Sequence, residues 1–214
     1  MANRTYRDRC GIARALDAVG DRWALLVVRE LLLGPKRFTD LRAGLPRVSP
    51  DVLAQRLREL DDHGVVRRDH LPPPAASHVY ELTDRGRELE PVILALGRWG
   101  SGEPPNDGPL GPDAAVIALM TMFGGDLEGE FELRLDGHAF RLAARDGRLD
   151  AARGPAEAPD AVIEGSPGTL ASVLWHGTDP GQLAITGDAR RFLRAFTPPA
   201  PRAGSAPARR GTRA

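Results

Sequence analysis

One cysteine, one lysine, few aromatics and no net charge are the shortages of this 214-residue chain. Cys10 on its own excludes a disulfide framework within the chain and suits a reducing compartment. No run of about 18 apolar residues occurs, so no membrane-spanning helix is expected. No basic start followed by an apolar stretch marks a secretory signal, and a cytoplasmic protein is expected. A Gly-rich phosphate loop, a metal-spaced His/Cys cluster and a nucleophile elbow are also missing. The five histidines are scattered. Neither an enzyme nor a metal or cofactor site is therefore expected. Ser166, in Gly165-Ser166-Pro167-Gly168, reads as a helix N-cap followed by proline at the first helical position, not as a nucleophile.

Lys36 stands alone beside 28 arginines. An arginine surplus that accompanies Ala, Gly and Pro enrichment fits a GC-rich coding sequence, so position must identify phosphate contacts. The zero balance divides unevenly. Residues 1–101 hold 17 basic and 14 acidic side chains, residues 102–197 hold 8 and 15, and residues 198–214 hold four arginines and no acid. Two breaks separate these blocks. Ser101–Pro112 is dense in Pro and Gly and makes a linker over 102–112. From Pro198 the chain has little apolar bulk, which predicts a disordered basic tail. Two domains follow, 1–101 and 113–197, in a chain 42% hydrophobic and long enough to bury a core.

The first block alternates helix periods with stop signals. Ile12, Leu16 and Val19 fall at helical spacing, and Arg22–Leu33 is a strong apolar run ended by Gly34–Pro35. Phe38, Leu41 and Leu45 mark a third helix. Ser49–Pro50 starts a fourth, whose Leu53, Leu57 and Leu60 form a buried stripe. Val65–Arg68 and His78–Leu82 read as a hairpin around the Pro-rich tip 71–76. A last helix, capped by Thr83–Asp84, carries Leu89, Val92, Ile93, Leu96 and Trp99.

This order is the winged helix-turn-helix plan, a mainly α domain, and it points to double-stranded DNA. A helix about 10–12 Å across fits a major groove about 12 Å wide. A helical wheel places Asp51, Gln55 and Arg58 opposite the leucines, with Arg56 on their flank and Ser49 at the helix start. Gln and Arg can contact adenine and guanine edges in bidentate fashion. Lys36 and Arg37 precede the third helix, suited to phosphate, and Arg67 and Arg68 lie on the wing. The same shape also serves protein-interaction modules, and a solvated polar face would look alike.

Cys10-Gly-Ile-Ala-Arg-Ala-Leu, Gly20-Asp-Arg-Trp, Arg29-Glu-Leu, Arg37-Phe, Arg56-Leu57, Gly64-Val65-Val66, Tyr80-Glu-Leu-Thr and Trp99-Gly100 together resemble the HxlR family of bacterial winged-helix transcription regulators. The resemblance spans about residues 8–101. It implies a DNA-binding homodimer whose interface comes from the first and last helices of the domain, and hence an inverted-repeat operator. Pro72-Pro73-Pro74-Ala75-Ala76-Ser77 departs from the family in lacking a basic residue before the tyrosine strand. The resemblance also makes Cys10 a redox candidate, the alternative being a small apolar interface residue.

The second block opens with an apolar helix over 113–125. Strands Glu130–Leu135, His138–Ala144 and Arg148–Ala152 are joined by Asp136-Gly137 and Asp146-Gly147, strong hairpin signals. Ala161–Glu164 and Leu183–Thr186 are further strands, and Pro167–His176 and Asp188–Phe196 further helices. An antiparallel sheet with helices on one face, an α+β sandwich, is expected. Asp160-Ala-Val-Ile, Leu183-Ala-Ile-Thr-Gly-Asp-Ala and Phe192-Leu resemble the sterol carrier protein type of lipid-binding domain, over about residues 112–197. That implies a cavity for a small apolar ligand, lined by Met120, Met122, Phe123, Phe131, Phe140, Leu174 and Trp175. Plain core is the competing reading of those seven. The chain as a whole then reads as a DNA-binding regulator with a sensing domain. The alternative is a lipid-binding or transfer protein in which the winged helix serves dimerisation.

Overall fold

The structure is a computed structural model that describes residues 5–70, 77–102 and 108–196. The wing tip, part of the linker and the basic tail lie outside the described residues. In the first domain α1 (Gly11–Val19), α2 (Ala24–Leu31), α3 (Phe38–Gly44) and α4 (Pro50–Asp62) precede the hairpin β1 (Val66–His70) and β2 (His78–Leu82). The α4 start follows its signals: Ser49 Oγ accepts from the Val52 N–H at 3.4 Å, and Pro50 occupies the first helical position. Leu53, Leu57 and Leu60 are 0–2% exposed and pin the helix to the core.

The last helix of this domain is two helices, α5 (Asp84–Arg87) and α6 (Glu90–Gly100). Pro91 has no N–H to return to the carbonyl four residues earlier, so the ladder breaks near Leu89. Ile93 is buried in α6, whereas Val92, Leu96 and Trp99 are not. In α1, Ile12 and Leu16 are likewise exposed. The helical period of these residues is present, but the stripe they form is left open to solvent.

The second domain comprises α7 (Pro112–Met122), β3 (Gly129–Leu135), β4 (His138–Arg145), β5 (Arg148–Arg153), β6 (Ala161–Gly165), α8 (Pro167–His176), β7 (Ala184–Gly187) and α9 (Arg190–Arg194). Both Asp-Gly turns adopt positive φ at each residue, 48° and 80° at 136–137 and 51° and 73° at 146–147, as tight hairpins require. The strand order is β5-β4-β3-β6-β7. The sheet is mixed, not wholly antiparallel: β6 lies parallel to β3, with Phe131 opposite Ala161. Two hairpins leave β5 running the same way as β3, and the 154–160 connection brings the chain back to run that way again. Alternation puts Phe131, Leu133, Leu135, Phe140, Leu142 and Ile163 on the covered face at 2% exposure or less. The other face carries Arg134, Arg141, Arg145 and Glu164.

The two domains are packed against each other, and their buried residues form one continuous cluster. Helix α7 lies against α2 and α6. A Cβ added at Gly97 would meet Thr121 Oγ1 at 3.0 Å, so glycine sets how closely α6 and α7 approach. Arg98 Nε donates to the Thr121 carbonyl at 3.1 Å. The Pro/Gly connection therefore does not leave the halves independent. Among the described residues no helix is long and apolar enough to cross a membrane.

Candidate nucleic-acid interface

Helix α3, the turn 45–49 and α4 place the candidate base-reading side chains. Asp51 and Arg58 are exposed on α4, away from its leucines. Gln55 is half-buried: its Nε2 donates to Glu59 Oε1 and its Oε1 accepts from Arg58 Nη2, both at 2.7 Å. Gln55 and Arg58 therefore form a ready-made pair, and a base edge would have to replace these bonds with its own. Ser49 is exposed, and its hydroxyl oxygen is engaged by the helix start.

Arg56 is not part of the exposed face. Its side chain is 15% exposed and is ion-paired to Asp21 and, at 2.6 Å, to Glu59. One step from Leu57, it turns toward the α1–α2 connection and braces α4 against it. Its removal from the reading set corrects the sequence expectation.

Lys36 is corrected more sharply. It is 4% exposed, with Nζ at 2.6 Å from Glu30 Oε2 and 2.9 Å from Asp113 Oδ2. Asp113 also pairs with Arg153, and Arg29 holds Glu30 at 2.8 Å. The turn after α2 lays Lys36 alongside β2, where its N–H donates to Tyr80 O at 3.0 Å and its carbonyl accepts from Tyr80 N–H at 2.8 Å. The side chain then points inward to two carboxylates. A Cβ at Gly44 would collide with the Glu30 carboxylate, so the glycine ending α3 makes room for this cluster. Lys36 is a junction residue and does not reach phosphate.

Arg37 stays exposed, and its Nε donates to Ser77 Oγ at 3.0 Å, tying the α3 start to the wing. Arg67 pairs with Glu81 at 2.7 Å, and hydrogen bonding to that carboxylate holds its guanidinium pKa above the ordinary value. Arg68 is exposed beside it on β1. Arg42 on α3 and Arg47 in the turn are also exposed. Sequence reasoning passed over both, although Arg47 stands two residues before the Ser49–Pro50 start signal, where a backbone-contacting cation belongs.

Cys10 is exposed at the N-cap of α1, where its N–H donates to Asp8 Oδ1 at 2.9 Å. The adjoining apolar stripe is extensive. Ile12 is 72% exposed, Trp99 59%, Val92 49% and Leu96 47%.

The seven residues expected to line a cavity in the second domain are largely packed core. Phe131 and Phe140 are at most 2% exposed, and Met120 and Leu174 are 8%. Phe131 packs on Phe192 at 5.1 Å between ring centres, Phe192 on Phe196 at 4.8 Å and Phe123 on Phe196 at 6.0 Å. Met122 and Trp175 are half-buried at the margin. The aromatic rings fill the space between sheet and helices with one another.

A family model described as HxlR-like helix-turn-helix matches residues 18–106. The chain is 40% identical over 88 residues to YvaP of Bacillus subtilis, described as an uncharacterized HTH-type transcriptional regulator, covering 41% of this chain and 82% of that one. It is also 40% identical over 92 residues to an uncharacterized HTH-type transcriptional regulator of Synechocystis, covering 43% and 68%. A solved structure of the reduced form of the transcriptional regulator YodB from B. subtilis is 32% identical, covers 46% of this chain and all of its own, and has a TM-score of 0.41. These likenesses bear on the first domain. The chain belongs to the HxlR-like helix-turn-helix family.

Proposed function

We propose that the protein is a one-component transcription regulator that binds double-stranded DNA as a homodimer. The observation that carries this reading is α4, sealed on one side by three leucines and open on the other with Asp51, Gln55 and Arg58, in a chain of a helix-turn-helix family. Arg37, Arg42, Arg47, Arg67 and Arg68 supply exposed cations on the flanking turn, helix and wing, suited to phosphates. The exposed apolar pairs Ile12 and Leu16 on α1, and Val92 and Leu96 on α6, each one turn apart on its helix, support a second copy as their cover. A two-fold dimer would read half-sites roughly 34–36 Å apart.

Selection of bound sequences from a random DNA pool by the purified full chain tests the proposal. Enrichment of an inverted repeat is expected; salt-sensitive binding with no enriched sequence would overturn it. The proposal extends to sensing of a small apolar ligand that favours one DNA-binding state over another. Cys10, exposed beside the proposed dimer face, is proposed as a thiol sensor. A disulfide-linked dimer band on non-reducing electrophoresis after mild oxidation is the expected sign, and its absence removes the disulfide version.

A further inference from the structure

We infer that the cleft between α2, α6 and α7 binds a small apolar molecule carrying a carboxylate, anchored by Arg29. This deepens the proposed regulator and rests on that reading for its biological sense. The cleft has a volume of about 270 Å3, just under the roughly 300–1,000 Å3 of drug-sized ligand pockets. Its space comes from small side chains. Ala114 and Ala118 stand one turn apart on the same side of α7 and both line the cleft, whereas Gly97 of α6 sits tight against Thr121. Leu26 and Leu96 line it as well and are themselves partly open to solvent.

Arg29 is the one charged residue among the described residues that line the cleft. Its Nη2 is held by Glu30, and its side chain keeps 23% exposure. The charges around it are unbalanced. Among the described residues Arg29, Lys36 and Arg153 are linked to two carboxylates, Glu30 and Asp113. A monoanion against Arg29 adds a negative charge to this cluster, and its apolar body fills the remainder of the cleft. Uncharged apolar molecules bring no such charge.

The site is well placed to be felt by the DNA-reading elements. Arg29 holds Glu30, Glu30 holds Lys36, and the Lys36 backbone is paired to Tyr80 of the wing and precedes Arg37 of α3. The chain is continuous from cleft to helix-turn-helix.

Calorimetric titration of the full chain with octanoate and with 1-octanol tests the inference. Octanoate is expected to bind one per chain, and octanol at least about tenfold more weakly, the least a charge-assisted hydrogen bond supplies. Arg29→Met should bring octanoate down to the octanol level, and Ala118→Phe should abolish binding of both. Ala114→Leu, a milder filling, serves if Ala118→Phe fails to fold. Equal affinity for acid and alcohol, unchanged binding in the folded filled variants, or binding lost whenever the chain is dimeric, which would mean that the second copy occupies the cleft, would each overturn the inference. DNA selection separates the two claims. An enriched operator without octanoate binding sinks the site and leaves the regulator, and octanoate binding without an enriched sequence does the reverse.

Discussion

Two regions of this molecule break the usual rule of apolar inside and charged outside, in opposite directions. At the domain junction Glu30, Lys36 and Asp113 are buried at 2–4% exposure. On α1 and α6, Ile12, Val92 and Leu96 are left in water. At the junction each of these three charges faces an opposite one within the chain at hydrogen-bonding distance. No element of the chain covers the open stripe among the described residues. The first is an internal weld. The second calls for another molecule.

Breaking the weld should have the largest effect. Lys36→Met takes from Glu30 and Asp113 the buried cation they share, leaving each with one partly exposed arginine, and is expected to cost about 3 kcal/mol. Urea denaturation would read it as a lower midpoint. Replacing Glu30 and Asp113 by apolar residues in the same chain should recover most of the loss, as removing a whole buried ion cluster often does. Trp23 of the first domain and Trp175 of the second should report one coincident transition in the native chain. Two separate transitions would mean that the junction does not couple the domains.

Charging the open stripe comes next. Ile12→Glu or Val92→Glu should weaken self-association by about 2 kcal/mol or more, roughly 30-fold, if these residues sit centrally in a dimer face. Sedimentation should show folded monomers; an unchanged distribution would leave the stripe without its proposed partner. A third contrast sets an exposed arginine against a braced one. Arg58→Ala is expected to cost about 1–3 kcal/mol in specific DNA binding. Arg56→Ala should instead lower the melting temperature and leave sequence preference alone. Equal losses of specificity would return Arg56 to the reading face.

The smallest effect is on pH. Burial pushes the Glu132 carboxyl up, but hydrogen bonds from Arg134 and the Ala156 N–H outweigh it and hold its pKa below the ordinary 4.5. A carboxylate with a lowered folded pKa contributes stability above its unfolded value, lost as pH falls through the folded one. Glu132→Gln should therefore differ from the native chain near neutrality and converge on it in acid, below about pH 4.5. A constant gap at every pH would remove Glu132 from acid sensitivity.

Much of the backbone was legible because its signals are local. Ser49–Pro50 and Ser166–Pro167 begin helices, and the Asp-Gly pairs turn hairpins, each within four residues. The leucine stripe of α4 was equally plain. The site was only half legible. Lys36 reads as a phosphate contact until Asp113, 77 positions later, is brought beside it. Arg56 reads as a base contact until Asp21 is placed against it. A helical period announces that Ile12 shares a face with Leu16, and Val92 with Leu96, yet it carries no information about whether either face is covered. The parallel seat of β6 was lost for a similar reason, since alternation fixes a strand's faces but not its neighbours.

That parallel seat has a consequence during synthesis. Strands β3, β4 and β5 can zip together as soon as they emerge, because Leu135 and His138 face each other across a tight turn. The partner on the other side of β3 arrives thirty residues later, as Ala161 comes to rest opposite Phe131. Until then β3 presents a raw edge bearing phenylalanine and leucines, free to pair with the same edge of a neighbouring nascent chain. Refolding yield should accordingly fall as concentration rises, with the exposed species being a three-stranded fragment of the second domain. Insertion of β6 beside β3 is therefore the expected slow step in making this protein.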